Sequence, residues 1–279
     1  MPYITTQDGT AIYYKDWGTG MPVILIHGWP VNADMWEHQA CYLTENGFRV
    51  ISYDRRGFGR SSQPGGGYDY DTMTSDLSAL VDALGLHQVA LVGFSMGGGE
   101  VARFVAKYPS KVSKAVFVSS VTPYLMKTDD NPDGVDHTVF DGILDNLKKD
   151  RPAFLEDFSQ KFFGRTMIKH TVSEPTLAWN QGMALMASPL ATVATAKSWA
   201  GTDFRSDLSS FRVPTLFIHG TSDNTVPIDV SARRAVKLVP GAELLEYDGE
   251  PHGLYLTAKD RLNQDLLNFL TNGTVVHGA

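Results

Sequence analysis

The apolar residues of this chain gather into short continuous runs, at 23–27, 49–53, 89–94, 112–118, 214–219 and 242–247. Runs of this length suit strands of a parallel sheet buried on both faces. Residues 10–17 alternate instead, with Ile12 and Tyr14 opposed to Tyr13 and Lys15, and follow an Asp8-Gly9 turn. That pattern predicts an edge hairpin with residues 3–6. Helical spacing fills the gaps at about 34–46, 71–84, 97–107, 228–239 and 255–270. Strand and helix alternating in this order predict an α/β protein with a mainly parallel sheet and helices on both sides.

The rhythm breaks between residues 121 and 205, where the pattern is helical and no strand is evident. Pro152 and Pro189 sit where helices are expected to start. Phe140, Ile143, Phe154, Phe158, Phe162, Trp179, Met183, Met186 and Trp199 crowd this stretch. The expected division is a core from residues 1–120 and 206–279, with 121–205 inserted as a helical cap over the carboxyl ends of the strands. Thr271 to Ala279 read as a frayed tail.

Composition narrows the class of function. The 279 residues can bury a sizeable core, and 43% hydrophobic with 20% charged is ordinary for a globular protein. A formal charge of −7 argues against nucleic acid and against anionic membrane surfaces. The single cysteine, Cys41, excludes an internal disulfide. Met1-Pro2-Tyr3-Ile4-Thr5 has neither a basic nor an apolar leader region, and the apolar runs are far too short to span a bilayer. A cytoplasmic protein is expected. Asn272-Gly273-Thr274 matches a glycosylation acceptor and, without a secretion signal, is read as chance. The His and Cys residues show no metal-ligand spacing, so no metal and no cofactor are expected.

The candidate chemistry starts at Gly93-Phe94-Ser95-Met96-Gly97, between a β-rich run and a helical one. Glycines on both sides allow a strand–helix turn sharp enough to lift the Ser95 hydroxyl clear of the backbone. A serine hydroxyl needs a base, and the base needs an orienting carboxylate. Gly220-Thr221-Ser222-Asp223-Asn224 follows the run at 214–219, and Asp248-Gly249-Glu250-Pro251-His252-Gly253 follows the run at 242–247. Asp223 and His252 thus come after the serine in the order nucleophile, acid and histidine, each on a loop after a late strand. Asp248 and the Asp129-Asp130 pair are other carboxylates on loops that such a site could use. The oxyanion requires two donors: the Met96 amide is one, and the Trp29 amide in His27-Gly28-Trp29-Pro30 is the natural second, since Pro30 has no N–H. His27 is read as a structural hydrogen-bonding residue rather than a catalytic one, and Asp54 and Arg55 as loop braces.

These residues, together with Asp54-Arg55-Arg56-Gly57-Phe58-Gly59-Arg60-Ser61, resemble the α/β-hydrolase superfamily, and within it the bacterial cofactor-free (non-haem) haloperoxidase and aryl esterase group. The likeness runs from about residue 3 to 270. It implies an eight-stranded, mostly parallel sheet with a helical cap, and a metal-free Ser-His-Asp esterase with a small apolar acyl pocket. It also implies perhydrolysis, in which peroxide replaces water and the released peracid oxidises halide, and it admits homo-oligomers. Pro30 either stiffens its turn or sets where the Trp29 carbonyl points, toward a peroxide nucleophile. Val121, Phe140, Ile143, Phe162 and Val226 are the candidate pocket residues for a small ester substrate. A serine nucleophile argues against the branches that attack with a carboxylate. Amide or lactam hydrolysis and carbon–carbon cleavage are the enzymatic alternatives, and a ligand receptor on the same scaffold is the non-enzymatic one.

Overall fold

The computed structural model describes residues 2–274. Among the described residues eight strands form one sheet: β1 (Tyr3–Thr5), β2 (Ala11–Trp17), β3 (Pro22–Ile26), β4 (Arg49–Tyr53), β5 (Val89–Phe94), β6 (Val112–Val118), β7 (Thr215–Gly220) and β8 (Glu243–Tyr247). Their spatial order is β1-β2-β4-β3-β5-β6-β7-β8. The β1–β2 hairpin and the β2–β4 pair are antiparallel, and every other neighbouring pair is parallel.

Both faces of the central strands are covered, and side chains alternate between them. Ile24 and Ile26 enter one apolar cluster with Leu77, Phe104 and Ala235; Val23 and Leu25 enter the other with Leu43, Leu262 and Leu266. The first cluster is roofed by α2 (Tyr70–Ala83), α3 (Met96–Lys107) and the short α8 (Ala232–Ala235), the second by α1 (Glu37–Glu45) and α10 (Lys259–Asn272). β8 departs from the expectation of a strand buried on both faces. It is the last strand of the sheet, and its residues 243–246 are half-buried or exposed.

Between β6 and β7 lie α4 (His137–Phe162), α5 (Glu174–Leu185) and α6 (Pro189–Gly201), followed by the short α7 (Arg205–Ser209). Pro189 opens α6 behind the Ser188 N-cap, as its position predicts. Pro152 falls inside α4, yet it too follows a helix start. Asp150 leaves the helical region (φ −158°, ψ 87°), and its carboxylate accepts from the Ala153 amide at 3.1 Å. This caps a second helical segment, and α4 bends there.

Two helical readings need correction. Over 228–239 only Ala232–Ala235 is α-helical, with a 3-10 turn at Val236–Leu238. Ser231 sits at φ −121°, ψ −101°, and its hydroxyl bonds back to the Pro227 carbonyl at 2.7 Å, a local alternative to helical pairing. The stretch 255–270 is split at Ala258 (φ −122°, ψ 31°) into α9 (Leu254–Thr257) and α10. At the carboxyl end the helix outlasts the expected start of the tail. α10 includes Thr271 and Asn272, and Gly273, at φ 76°, closes it by donating to Phe269 O at 2.8 Å. The rest of the expected tail, residues 275–279, lies outside the described residues.

Candidate active site

Three loops leave the carboxyl ends of β5, β7 and β8 on one side of the sheet, where open α/β sheets carry their sites. Ser95 stands between β5 and α3 at φ 51°, ψ −115°, a conformation that costs a non-glycine residue about 1–3 kcal/mol. The surroundings enforce it. Ser95 N donates to Val118 O at 2.8 Å, and Ser95 O accepts from Gly98 N at 3.0 Å. A Cβ on Gly93 would lie 2.5 Å from Gly97 O, and one on Gly97 would lie 2.5 Å from Ile26 O. Both glycines are therefore required by the close approach of backbone to backbone.

His252 bridges the other two residues. Its Nε2 lies 3.0 Å from Ser95 Oγ and its Nδ1 lies 2.6 Å from Asp223 Oδ2. All three side chains are buried. Asp223 Oδ1 accepts from the amides of Thr225 (2.9 Å) and Val226 (2.8 Å), so its Oδ2 is left for imidazole. Burial alone would push the Asp223 carboxyl up. The charge of His252, with hydrogen bonds from His219 and His252, outweighs burial and holds it well below the usual carboxylate range. With a carboxylate on Nδ1, the Nδ1–H tautomer is fixed and Nε2 faces the serine as an acceptor.

The loop after β3 lies against the serine. A Cβ on Gly28 would meet the Phe94 ring at 2.5 Å and Ser95 Cβ at 3.2 Å. The amides of Trp29 and Met96, both buried residues, find no acceptor among the described residues. Buried N–H groups are rarely left unpaired, so two of them on the two segments flanking Ser95 mark a place for a ligand oxygen. Trp29–Pro30 is a cis peptide.

His27 braces this loop and does not reach the serine–histidine pair. Its Nε2 accepts from Arg55 N at 3.0 Å, which places its proton on Nδ1, 2.8 Å from Gly28 O. Burial first, and the Arg55 charge second, push the imidazole well below its ordinary pKa, in keeping with a neutral acceptor. Arg55 also donates to His27 O at 2.7 Å and pairs with the fully buried Glu100 of α3. Glu100 in turn accepts from Tyr53 at 2.6 Å. Asp54 accepts from the amides of Ala33 (2.9 Å) and Arg60 (2.7 Å), bracing two loops at once.

The five pocket candidates are dispersed. Phe162 packs edge-on to the His252 ring at 4.9 Å, and Phe94 lies at the same distance. Val121 N reaches Ser95 O at 3.3 Å. Val226 touches the site through its backbone, donating to Asp223. Phe140 is one ring further out: it meets Trp199, which meets Trp29, both at 5.8 Å. Ile143 is half-buried on the outer part of α4 and packs on the same cluster as Phe140. Phe158, one of the aromatics of the 121–205 stretch but not a pocket candidate, lies 5.2 Å from the Trp29 ring and 5.8 Å from Phe162. On its outer side Phe158 joins Phe154 in lining a cleft of about 360 Å³. His219, on β7, is the site residue that sequence reasoning misses. It stands 3.1 Å from Asp223 Oδ2 and is fully buried. Its signal is a histidine within an otherwise apolar strand, Thr215-Leu216-Phe217-Ile218-His219-Gly220, where a buried polar ring requires a partner.

The sequence matches the family described as alpha/beta hydrolase fold over residues 21–259. It is 46% identical over 276 residues to a putative non-heme chloroperoxidase of Synechocystis sp., covering 97% of this chain and 100% of that protein. It is 42% identical over 276 residues to the bifunctional esterase/perhydrolase DCH of Acinetobacter calcoaceticus, covering 97% and 99%. Among solved structures, the bromoperoxidase from Bacillus anthracis superposes with a TM-score of 0.93 at 44% identity, covering 97% of this chain and 100% of that one. The chain belongs to the α/β-hydrolase fold family, in the group that holds the non-haem haloperoxidases.

Proposed function

We propose that the protein is a serine hydrolase of small carboxylic esters working through an acyl-enzyme, with hydrogen peroxide as an alternative to water in the second half-reaction. The observation that carries this reading is His252 held between Ser95 Oγ at 3.0 Å and Asp223 at 2.6 Å. Ser95 attacks the ester carbonyl while His252 Nε2 takes its proton. Asp223 stabilises the imidazolium, and the Trp29 and Met96 amides receive the oxyanion. The imidazolium then protonates the departing alkoxide or phenoxide. Water, or peroxide, gives its proton to His252 and attacks the acyl-enzyme, releasing acid or peracid and restoring Ser95.

Residues 121–205 serve in this reading as a cap over a core of 1–120 and 206–279, and Phe158 and Phe162 of α4 bring apolar surface to the site. Val121, whose amide lies 3.3 Å from Ser95 O, is proposed to line the acyl pocket with them, while Phe140 and Ile143 would back it through the Trp199 and Trp29 rings and Val226 would support it through its backbone. Among the described residues no helix is long and apolar enough to cross a membrane. The finer expectations, a cytoplasmic enzyme able to form homo-oligomers, rest on composition and on the resemblance. The relatives named as esterase/perhydrolase and chloroperoxidase support the pairing of the two activities.

The test is release of p-nitrophenol from acetate and longer acyl esters by wild type and Ser95→Ala, with and without hydrogen peroxide. Turnover lost in the variant, with peracid formed by wild type in the peroxide arm, is the expected result. Turnover that survives in Ser95→Ala refutes the reading.

A further inference from the structure

Asp223 Oδ2 is shared by two imidazoles, and the mechanism above uses only one. His219 Nε2 lies 3.1 Å from this oxygen and 2.8 Å from Val226 O, while its Nδ1 is buried with no partner among the described residues. A proton on Nδ1 would leave an unpaired donor and set a ring lone pair against two oxygens. The proton therefore belongs on Nε2, where one N–H is divided between carboxylate and carbonyl. The Val226 residue that accepts from His219 also donates its own amide to Asp223 Oδ1 at 2.8 Å. Carboxylate, ring and loop thus form one closed unit at the end of β7.

We propose that His219 is a positioning residue for the catalytic carboxylate: its Nε2–H fixes Asp223 Oδ2 and draws off part of the negative charge that would otherwise act on His252. The proposal rests on the triad assignment of the preceding section. It explains why a polar ring occupies an otherwise apolar buried strand. It also gives the ring a definite electrostatic sense, because a donor on the carboxylate opposes formation of the His252 imidazolium.

The surroundings contain few competing charges. From β8 the register partner of His219 is Glu246, which is paired with Arg233 at 2.6 Å on the exposed side. From β5 and α4, His252 meets the Phe94 and Phe162 rings, and from the loop after β6 the Ser119 hydroxyl donates to its carbonyl at 3.2 Å. Ser95 and Asp223 complete its partners among the described residues.

The test compares kcat/KM against pH for p-nitrophenyl acetate in wild type, His219→Phe and His219→Gln, with thermal melts of each. Phenylalanine keeps an aromatic ring and removes the donor; glutamine returns an N–H near the Nε2 position. The expected result is an acid limb moved to higher pH by roughly 0.5–1 unit in H219F and restored toward wild type in H219Q. A purely structural histidine would lower the melting temperature and kcat and leave the limb in place. An unmoved limb in H219F, or an equal movement in both variants, overturns the proposal. Should H219F not fold, nitrogen-15 NMR of the wild-type ring decides: an Nε2-protonated His219 supports the proposal and an Nδ1-protonated one ends it. These outcomes are separable from failure of the triad, which would appear as activity retained in Ser95→Ala.

Discussion

Replacing Asp223 by asparagine tests the site at its most constrained atoms. Among the described residues all four contacts to this carboxylate come from donors: the Thr225 and Val226 amides on Oδ1 at 2.9 and 2.8 Å, and His252 and His219 on Oδ2 at 2.6 and 3.1 Å. An amide has one acceptor end and one donor end, so neither orientation of the asparagine side chain satisfies this ring of donors. If its NH2 faces the two backbone amides, the loop that carries Val226 loses its anchor. If its oxygen stays on those amides, its NH2 faces His252, which can meet it only by moving its proton from Nδ1 to Nε2. Nε2 then presents an N–H to Ser95 Oγ and has no lone pair to take the hydroxyl proton. The expected loss in kcat is about 10⁴-fold, the scale reached when a triad histidine is held in the wrong tautomer. The expected loss of stability is about 1–3 kcal/mol for each buried donor left unpaired. Steady-state turnover of p-nitrophenyl acetate and urea unfolding measure the two separately. A variant that keeps kcat within about tenfold of wild type would refute the tautomer argument, and with it the assignment of Asp223 over Asp248 or the Asp129-Asp130 pair.

The same carboxylate predicts a pH dependence. Its folded pKa is depressed, so its contribution to stability is complete above the unfolded value of 3.8 and is lost as pH falls from there through the folded value. Urea melts at pH 7 and pH 3 should therefore show wild type losing its margin over Asp223→Asn in acid, and a constant margin would contradict this. His27→Phe removes the Nδ1–H that holds Gly28 O, the carbonyl of the peptide whose N–H belongs to Trp29. Loss of one oxyanion donor's alignment should lower kcat by about 10²-fold with KM little changed, read from full saturation curves. Gly28→Ala drives a methyl into the Phe94 ring, where the ideal Cβ lies 2.5 Å away, and should cost about 1–3 kcal/mol by thermal melting while separating the loop from Ser95. Phe162→Ala opens space beside His252, with a stability loss of about 3–5 kcal/mol and a shift of preference toward longer acyl esters; an unchanged chain-length profile would remove Phe162 from the pocket.

What the sequence determined by itself was set by local rules. The apolar runs read as strands because a sheet covered on both faces hides residues pointing to either side, and the runs that form β3 to β7 are buried in that way. The exception is β8, whose place at the sheet edge depends on which strands lie beside it. The elbow was legible because glycines at 93 and 97 are needed wherever backbones approach so closely, and the order of Ser95, Asp223 and His252 follows from the order of the strands. The short α8 was not legible, because the Ser231 hydroxyl turns back to Pro227 O where the apolar spacing alone reads as helix. The break at Ala258 was hidden for a similar reason, alanine being a helix former that carries no local sign of a bend. The tertiary structure alone decided the pairing of Asp223 with two histidines. His219, Asp223 and Val226 meet through the turn after β7, His252 joins them only when β7 and β8 lie side by side, and all these hydrogen bonds have angular and distance limits that a one-dimensional pattern does not carry. It alone likewise set Phe158 between Trp29 and Phe162, because Trp29 lies on the loop after β3 and reaches α4 only in the folded chain.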